Sequence, residues 1–223
     1  MNMALPRPPR VTVEIVFDFV CPWCYLGIHR FQRLRQSRPD LPLTPVWRPF
    51  LLNPDMPRSG ISRADYTARK FGDEDRARRF HAAISSIAAE DGLDLAFPRI
   101  ARAPSTVDAH RLVRLALERG VAAEGLVLDI FQAYFSAGLD IGNPDALAAI
   151  GEANGLRHNE TAAFLASDRA IEQIHADNLF VHRLGINGVP CFIIDGQAAI
   201  AGAQEPDILE RLIELAVADV EGA

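Results

Sequence analysis

Val11-Thr12-Val13-Glu14-Ile15-Val16-Phe17-Asp18-Phe19-Val20-Cys21-Pro22-Trp23-Cys24 is the stretch on which the fold turns. Val11–Val20 is rich in β-branched and aromatic residues, which predicts a mostly buried strand. After Cys21, the apolar residues Tyr25, Leu26, Ile28, Phe31 and Leu34 recur at helical spacing, with Arg30, Arg33 and Arg35 among them. Two cysteines therefore sit where a strand ends and a helix begins. Thiol–disulfide exchange needs an attacking thiolate and a second sulfur near enough to release the mixed disulfide. Two intervening residues on a first helical turn supply that nearness. The free N–H groups and positive dipole end of the helix favour a thiolate on Cys21.

Three readings of Cys21 and Cys24 are open: a redox pair, half of a metal site, or chance spacing. A zinc site calls for a second Cys or His pair at short spacing. The third cysteine, Cys191, has no such pair beside it. The redox reading is preferred, with no metal. Cys21, at what should be an exposed first turn, is expected to attack, and Cys24 to resolve. Pro22 has no N–H to lose at the first helical position. Trp23 is expected beside the sulfurs, contacting substrate or simply packing.

The chain has 223 residues, 49% of them hydrophobic, which suits one domain or a domain carrying a large insertion. A net charge of −6, with the positive residues interleaved with acids, gives no support to nucleic-acid binding. No uncharged run approaches the ~20 residues of a membrane helix. Met1–Arg10 holds three prolines and two arginines, and the apolar segment after it contains Glu14 and Asp18. No small-residue cleavage site is evident, so the expectation is no signal peptide and a cytoplasmic setting with reduced thiols.

Beyond the first helix, which Pro39 and Pro42 end, Leu43–Leu52 predicts a second strand. Pro45 and Pro49 argue for an edge strand or an irregular one. Asn53–Gly60 is a turn-rich break. Ser62 to about Ala176 reads as helix: Ser62–Gly92, then Ser105–Arg119 with Ser105 or Thr106 as N-cap, then Gly125–Ala137 closed by Gly138. Asn143-Pro144 opens another helix, and Thr161–Leu184 is one helix or a pair. Strands return at Pro190–Ile194 and Ala198–Ala201, joined by the turn signal Asp195-Gly196, and Glu205–Val220 is a final amphipathic helix. Without its middle, this order is β-α-β…β-β-α, the thioredoxin plan. The fold class expected is α/β, thioredoxin-like, with a large all-helical insertion. Residues 1–60 and 180–223 form the thioredoxin-like domain and 61–179 the helical one.

In that plan Gly188-Val189-Pro190 occupies the place of a cis-proline loop facing the dithiol. There the backbone of Val189 is open to an extended substrate. Pro22, Trp23, Val189 and Pro190 are thus the candidate substrate contacts. Three accessory residues are candidates with two readings each. Asp18 either passes protons to and from Cys24 as a buried acid or caps the following helix. His110, near Asp108, either hydrogen-bonds towards the dithiol or is a structural histidine. Cys191 is either a small buried hydrophobe or a third redox sulfur. His29, His81, His158, His175 and His182 show no metal or triad spacing.

The chain resembles the DsbA-like thioredoxin-fold oxidoreductases, in their FrnE-like branch. The resemblance is carried by Phe17–Gly27, by Trp47-Arg48-Pro49-Phe50-Leu51-Leu52-Asn53-Pro54 and by Ser105-Thr106-Val107-Asp108-Ala109-His110-Arg111-Leu112. It continues through Tyr134-Phe135, Gly138, Asp140-Ile141, Gly188-Val189-Pro190, Phe192 and Gly202-Ala203-Gln204. It implies a thioredoxin domain interrupted by helices, dithiol–disulfide exchange through Cys21 and Cys24, and a cis Pro190. It also implies a branch without signal peptides. The related 2-hydroxychromene-2-carboxylate isomerases and kappa-class glutathione transferases use a serine and glutathione where this chain has Cys21. A glutathione-dependent isomerase or transferase is therefore the alternative. The expected cofactor is none, with glutathione as a candidate co-substrate. The expected partner is a thiol- or disulfide-bearing protein or small molecule, with no nucleic acid and no membrane. The chain is expected to be a monomer or a homodimer.

Overall fold

The computed structural model describes residues 11–41 and 43–221. Met1–Arg10 and Pro42, on which part of the sequence reading fell, lie outside the described residues.

Strand β1 (Val11–Phe17) is central in the sheet, with Val11, Val13, Ile15 and Phe17 buried on one face and Val16 buried on the other beside half-buried Thr12 and Glu14. Ile15 and Phe17 enter one core and Val16 another. It pairs in parallel with β2 (Leu43–Pro49), in the register Val11↔Leu43 to Phe17↔Pro49. On its other side it runs antiparallel to β5 (Cys191–Ile194), with Val16 opposite Cys191. β5 continues into β6 (Ala198–Ala201), and the sheet order is β2-β1-β5-β6. β2 lies at the edge, where Pro45 and Pro49 leave no ladder bond unmade. Asp195 and Gly196 are the central residues of the turn closed by Gln197 N donating to Ile194 O, at φ +46° and +70°, the left-handed pair of a type I′ turn. Asp195 clamps the hairpin to β1, since its carboxylate accepts from Thr12 N at 2.7 Å and its own N–H donates to Thr12 O at 2.9 Å.

Helix α1 (Pro22–Ser37) and α9 (Pro206–Glu221) cover one face of the sheet, through residues such as Phe31, Leu209 and Ile213. α8 (Ile171–Arg183) covers the other, with Val181 packed on Val16, Phe50, Cys191 and Ile193. Between β2 and β5 come α2 (Arg63–Phe71), α3 (Glu74–Glu90), α4 (Val107–Glu118), α5 (Ala123–Phe135), α6 (Pro144–Ala153), α7 (His158–Ala166) and α8. The result is an α/β thioredoxin-like fold with a helical insertion.

Four local features differ from, or refine, the sequence reading. Ser62–Gly92 is two helices, not one. Gly72 takes φ +81°, and Asp73 starts the next helix by accepting from Arg76 N at 2.7 Å. Thr161–Leu184 resolves as a pair, with α7 beginning slightly earlier, at His158, and Ala170 at φ +67° between them. A two-stranded ribbon, β3 (Ile61–Ser62) and β4 (Arg102–Ala103), interrupts the helical stretch, too short to leave a periodic signal. β1 stops at Phe17, three residues short of the apolar run, because Cys21 N donates to Asp18 O and closes a turn.

One apolar cluster runs unbroken from the sheet into the helices, through Ile84, Leu112, Ile130 and Leu147. At its centre Tyr25 stacks on Phe131 (5.3 Å, 5°), and Phe17 meets Phe19, Trp47 and His110 edge-on. Arg30, buried on α1, donates to Asp91 Oδ2 at 2.8 Å and to Ala203 O at 2.9 Å, tying α3 and the chain after β6 to one helix. Phe17 is fully buried, so Phe17→Ala is expected to cost about 3–5 kcal/mol, the range for emptying a buried aromatic site. Urea unfolding measures it, and a loss under ~1 kcal/mol contradicts this packing.

Candidate dithiol active site

Cys21 is the N-cap of α1 and Pro22 its first residue. Cys24 N donates to Cys21 O at 3.0 Å, so the two side chains share one end of the helix. Cys24 is fully buried and Cys21 is 5% exposed. Cys21 is thus less open than its first-turn position suggests, because chain segments from elsewhere lie over it. One is the Val189–Pro190 peptide, which is cis and brings Val189 O to 3.6 Å from the Cys21 sulfur, within reach of its S–H. Gly27 permits this approach: a Cβ there would lie 2.9 Å from Pro190 Cγ. On another side Cys21 faces a cavity of about 180 Å³, walled by Val20, Cys21, Pro22 and half-buried Trp23 and closed by residues of α2 and α3.

The two sulfurs have opposite electrostatics. The Cys21 pKa is lowered, first because the Cys24 thiol donates to it, and then by the N–H groups of Cys24 and Trp23 in the first helical turn. That gain outweighs the burial that opposes it. The Cys24 pKa is raised well above an ordinary thiol, first by complete burial and then by the neighbouring Cys21. The pair is therefore split into a sulfur at the cavity wall that favours the thiolate and a fully enclosed one that favours the thiol.

Asp18 is fully buried in the same cluster of elements. It does not cap α1. Its carboxylate instead accepts from Leu52 N at 2.7 Å and Val20 N at 3.4 Å. Burial pushes its pKa up to about 6, against those bonds, the Thr106 hydroxyl and the charge of Lys70. His110 lies against Phe17 and Phe19 and is pushed down to about 3 by burial. Its Nε2 is 4.0 Å from Asp18 Oδ1 and is the one buried side-chain polar atom without a hydrogen-bond partner among the described residues. Asp108 turns away into ion pairs with Arg111 (2.5 Å) and Arg58 (3.1 Å). Cys191 packs with Val16, Phe50, Val181 and Ile193, while its neighbour Phe192 joins the core that holds Cys21 and Cys24. The strand alternation thus puts Cys191 on the opposite face of the sheet from Cys24, and burial raises its pKa.

No local pattern names the residues of the remaining cavity wall. Arg63, Tyr66, Lys70 and Phe71 come from α2, Phe80 and His81 from α3, and Phe97 and Phe135 from later segments. The available signal was compositional: Lys70 is the single lysine in the chain. A larger depression, of about 860 Å³, at Glu152 and Arg157–Glu160 shares no residue with the dithiol site, and its charged groups pair locally. Among the described residues no group of His, Cys, Asp and Glu is arranged to hold a metal ion. No helix among them is long and apolar enough to cross a membrane.

Residues 12–214 match the DSBA-like thioredoxin domain family. The chain belongs to that family, whose chemistry is thiol–disulfide exchange. An uncharacterised protein of Bacillus subtilis, YwbO, is 27% identical over 207 residues, which is 91% of this chain and 96% of that one. A probable DsbA oxidoreductase from Streptomyces coelicolor superposes with a TM-score of 0.83 at 28% identity, covering 93% of this chain and 90% of the other. Two more distant structures share the fold. A 2-hydroxychromene-2-carboxylate isomerase gives a TM-score of 0.66 at 18% identity, over 95% and 99% of the two chains. The cytosolic disulfide reductase DsbM of Pseudomonas aeruginosa, solved with GSH, gives 0.63 at 16%, over 95% and 98%.

Asp18 makes stability depend on pH. Its pKa is 3.8 unfolded and about 6 folded, so between these values the folded state holds the extra proton and stability falls as pH rises. His110 acts oppositely: its pKa is 6.5 unfolded and about 3 folded, so its contribution is lost as pH falls through the same window. Asp18→Asn removes only the first effect. Relative to wild type, the variant is expected to gain about 3 kcal/mol between pH ~4 and ~7 in urea unfolding. A difference that does not change with pH contradicts the burial of an ionisable Asp18.

Proposed function

We propose that the chain is a dithiol oxidoreductase whose working groups are Cys21 and Cys24. The observation that carries this reading is geometric: Cys21 caps α1 beside Val189 O and a cavity, with Cys24 fully buried one turn further in. In the reducing direction, the Cys21 thiolate attacks a substrate disulfide. A Cys21–substrate S–S bond forms and the first substrate thiolate leaves. Cys24 gives its proton to the Asp18 carboxylate, or to water, and attacks Cys21. The second substrate thiolate leaves, and the Cys21–Cys24 disulfide remains. The substrate gains the two electrons that the dithiol loses, and an external thiol, with glutathione as the proposed co-substrate, returns them.

Val189 offers its carbonyl beside the attacking sulfur, so an extended substrate can align along the Val189–Pro190 edge. Pro22 and Trp23 form the adjoining wall. Cys191, on the far face of the sheet, takes the role of a buried hydrophobe. The proposed setting is the cytoplasm, where the glutathione poise favours reduction or isomerisation over net oxidation. A glutathione-dependent isomerase acting on a small aromatic molecule is the second reading. The aromatic lining of the cavity favours it, and a sulfur at position 21 in place of serine opposes it.

Cys21→Ser is expected to abolish reduction of insulin disulfides. Cys24→Ser is expected to accumulate a mixed disulfide on Cys21, visible by intact mass. Retained insulin reduction in Cys21→Ser overturns the proposal. A wild-type protein that is silent with insulin yet isomerises a small aromatic molecule with glutathione establishes the second reading.

A further inference from the structure

We propose that Arg63 and Lys70 form an anion-recognition site beside Cys21, and that the substrate entering there is a small disulfide carrying a carboxylate. The inference rests on the oxidoreductase reading and adds a substrate class to it. Both cations line the same cavity of about 180 Å³ as Cys21 and Trp23. Residues 63, 66 and 70 share one face of α2, and Tyr66 sits between the charges. Arg63 Cζ and Lys70 Nζ each lie 5.3 Å from its ring centroid, and Lys70 Nζ donates to the Tyr66 hydroxyl at 2.8 Å. The two cations are thus held in place by an aromatic ring rather than by an acid.

Neither has a carboxylate partner among the described residues, whereas Arg30, Arg38, Arg58 and Arg111 each do. The other polar neighbour is His81, whose Nε2 is 2.9 Å from Arg63 Nη2. Burial, then the charges of Arg63 and Lys70, push its pKa down to about 4. His81 is therefore neutral at pH 7 and supplies no countercharge, and the buried Asp18 carboxylate, which feels the charge of Lys70, forms no ion pair with it. Asp55 lines the adjoining cavity with Lys70, and Glu74 a groove behind Arg63, but neither forms an ion pair with them. In a chain of net charge −6, two unpaired cations at the rim of the candidate nucleophile form a site for an incoming anion.

Size selects the class of substrate. A second cavity of about 560 Å³ shares Leu52, Tyr66 and Lys70 as wall residues with the first. Its volume is that of a small-molecule site, and the wall nearest Cys21 is aromatic, with Trp23, Tyr66, Phe71 and Phe97. A polypeptide strand instead fits the open edge at Val189, on the other side of the sulfur. In the reaction, the carboxylate stays on Lys70 and Arg63 while the Cys21 thiolate breaks the substrate S–S bond. The first thiolate leaves, and Cys24 then displaces the second, leaving the Cys21–Cys24 disulfide.

The test uses the reduced full-length protein and two aromatic disulfides, the dianionic dithiobis(nitrobenzoate) and the neutral dithiodipyridine. For each, the rate of chromophore release is measured, and the ratio of anionic to neutral rate is compared between variants. That ratio is expected to fall about tenfold in Lys70→Met, the scale of one charge-assisted hydrogen bond. It should fall further in the Arg63→Met/Lys70→Met double variant and recover in Lys70→Arg. Added salt should lower the wild-type ratio and spare that of the double variant. A ratio unchanged within about twofold in the double variant overturns the inference while leaving the dithiol chemistry intact. An effect confined to a long acidic peptide disulfide overturns the small-molecule assignment. Wild-type protein inert to both probes overturns the oxidoreductase reading itself.

Discussion

The dithiol depends on one contact, the Val189–Pro190 peptide pressed against the first two turns of α1. Position 27 must be glycine for that contact, because a Cβ there would fall 2.9 Å from Pro190 Cγ and 3.4 Å from Ala203. Beyond Pro190 the chain enters β5, whose register, Cys191 opposite Val16, fixes how far the loop reaches along α1. Gly202 N closes the other side by donating to Pro190 O at 2.8 Å. Sheet register, helix packing and loop position therefore converge on one carbonyl, Val189 O, beside one sulfur.

That packing also sets the electrostatics. Sinking Cys24 and Asp18 completely into the core raises both pKa values, while Cys21 keeps the free N–H groups of the first helical turn. A proton on Cys24 and a charge on Cys21 are two sides of the same burial gradient, since the Cys24 thiol can donate only to a neighbour that accepts. The helical insertion extends the gradient outwards. α2 and α3 lay an aromatic wall over Cys21 and bring cations to its rim, so access to the sulfur is governed by residues distant in sequence.

The legible parts of this structure are those encoded locally. The β-branched run from Val11, the Cys-x-x-Cys step into α1 and the Asp195-Gly196 turn each carry their own physical signal; the last two stand where expected, and the strand ends at Phe17 rather than Val20. Asn143 caps α6 through its side chain, as its place before Pro144 implies. The break at Gly72 was missed because the charged periodicity continues on both sides of it. The loop at residue 189 was expected to face the dithiol, but the burial of Cys21 was missed because α2 also lines its surroundings, a contact that no local pattern announces. The same holds for Arg63, Tyr66 and Lys70, and for the way β5 turns Cys191 to the far face of the sheet.

The proposed chemistry requires three electrostatically unequal cysteines, with Cys21 as the nucleophile. Site-resolved alkylation of the reduced protein across pH, read by mass mapping of each cysteine, probes that inequality. Cys21 alone is expected to react at neutral pH, with a midpoint below the ~8.5 of a free thiol, while Cys24 and Cys191 stay protected until higher pH. Faster reaction at Cys24 or Cys191, or a Cys21 midpoint at or above that of a free thiol, contradicts it.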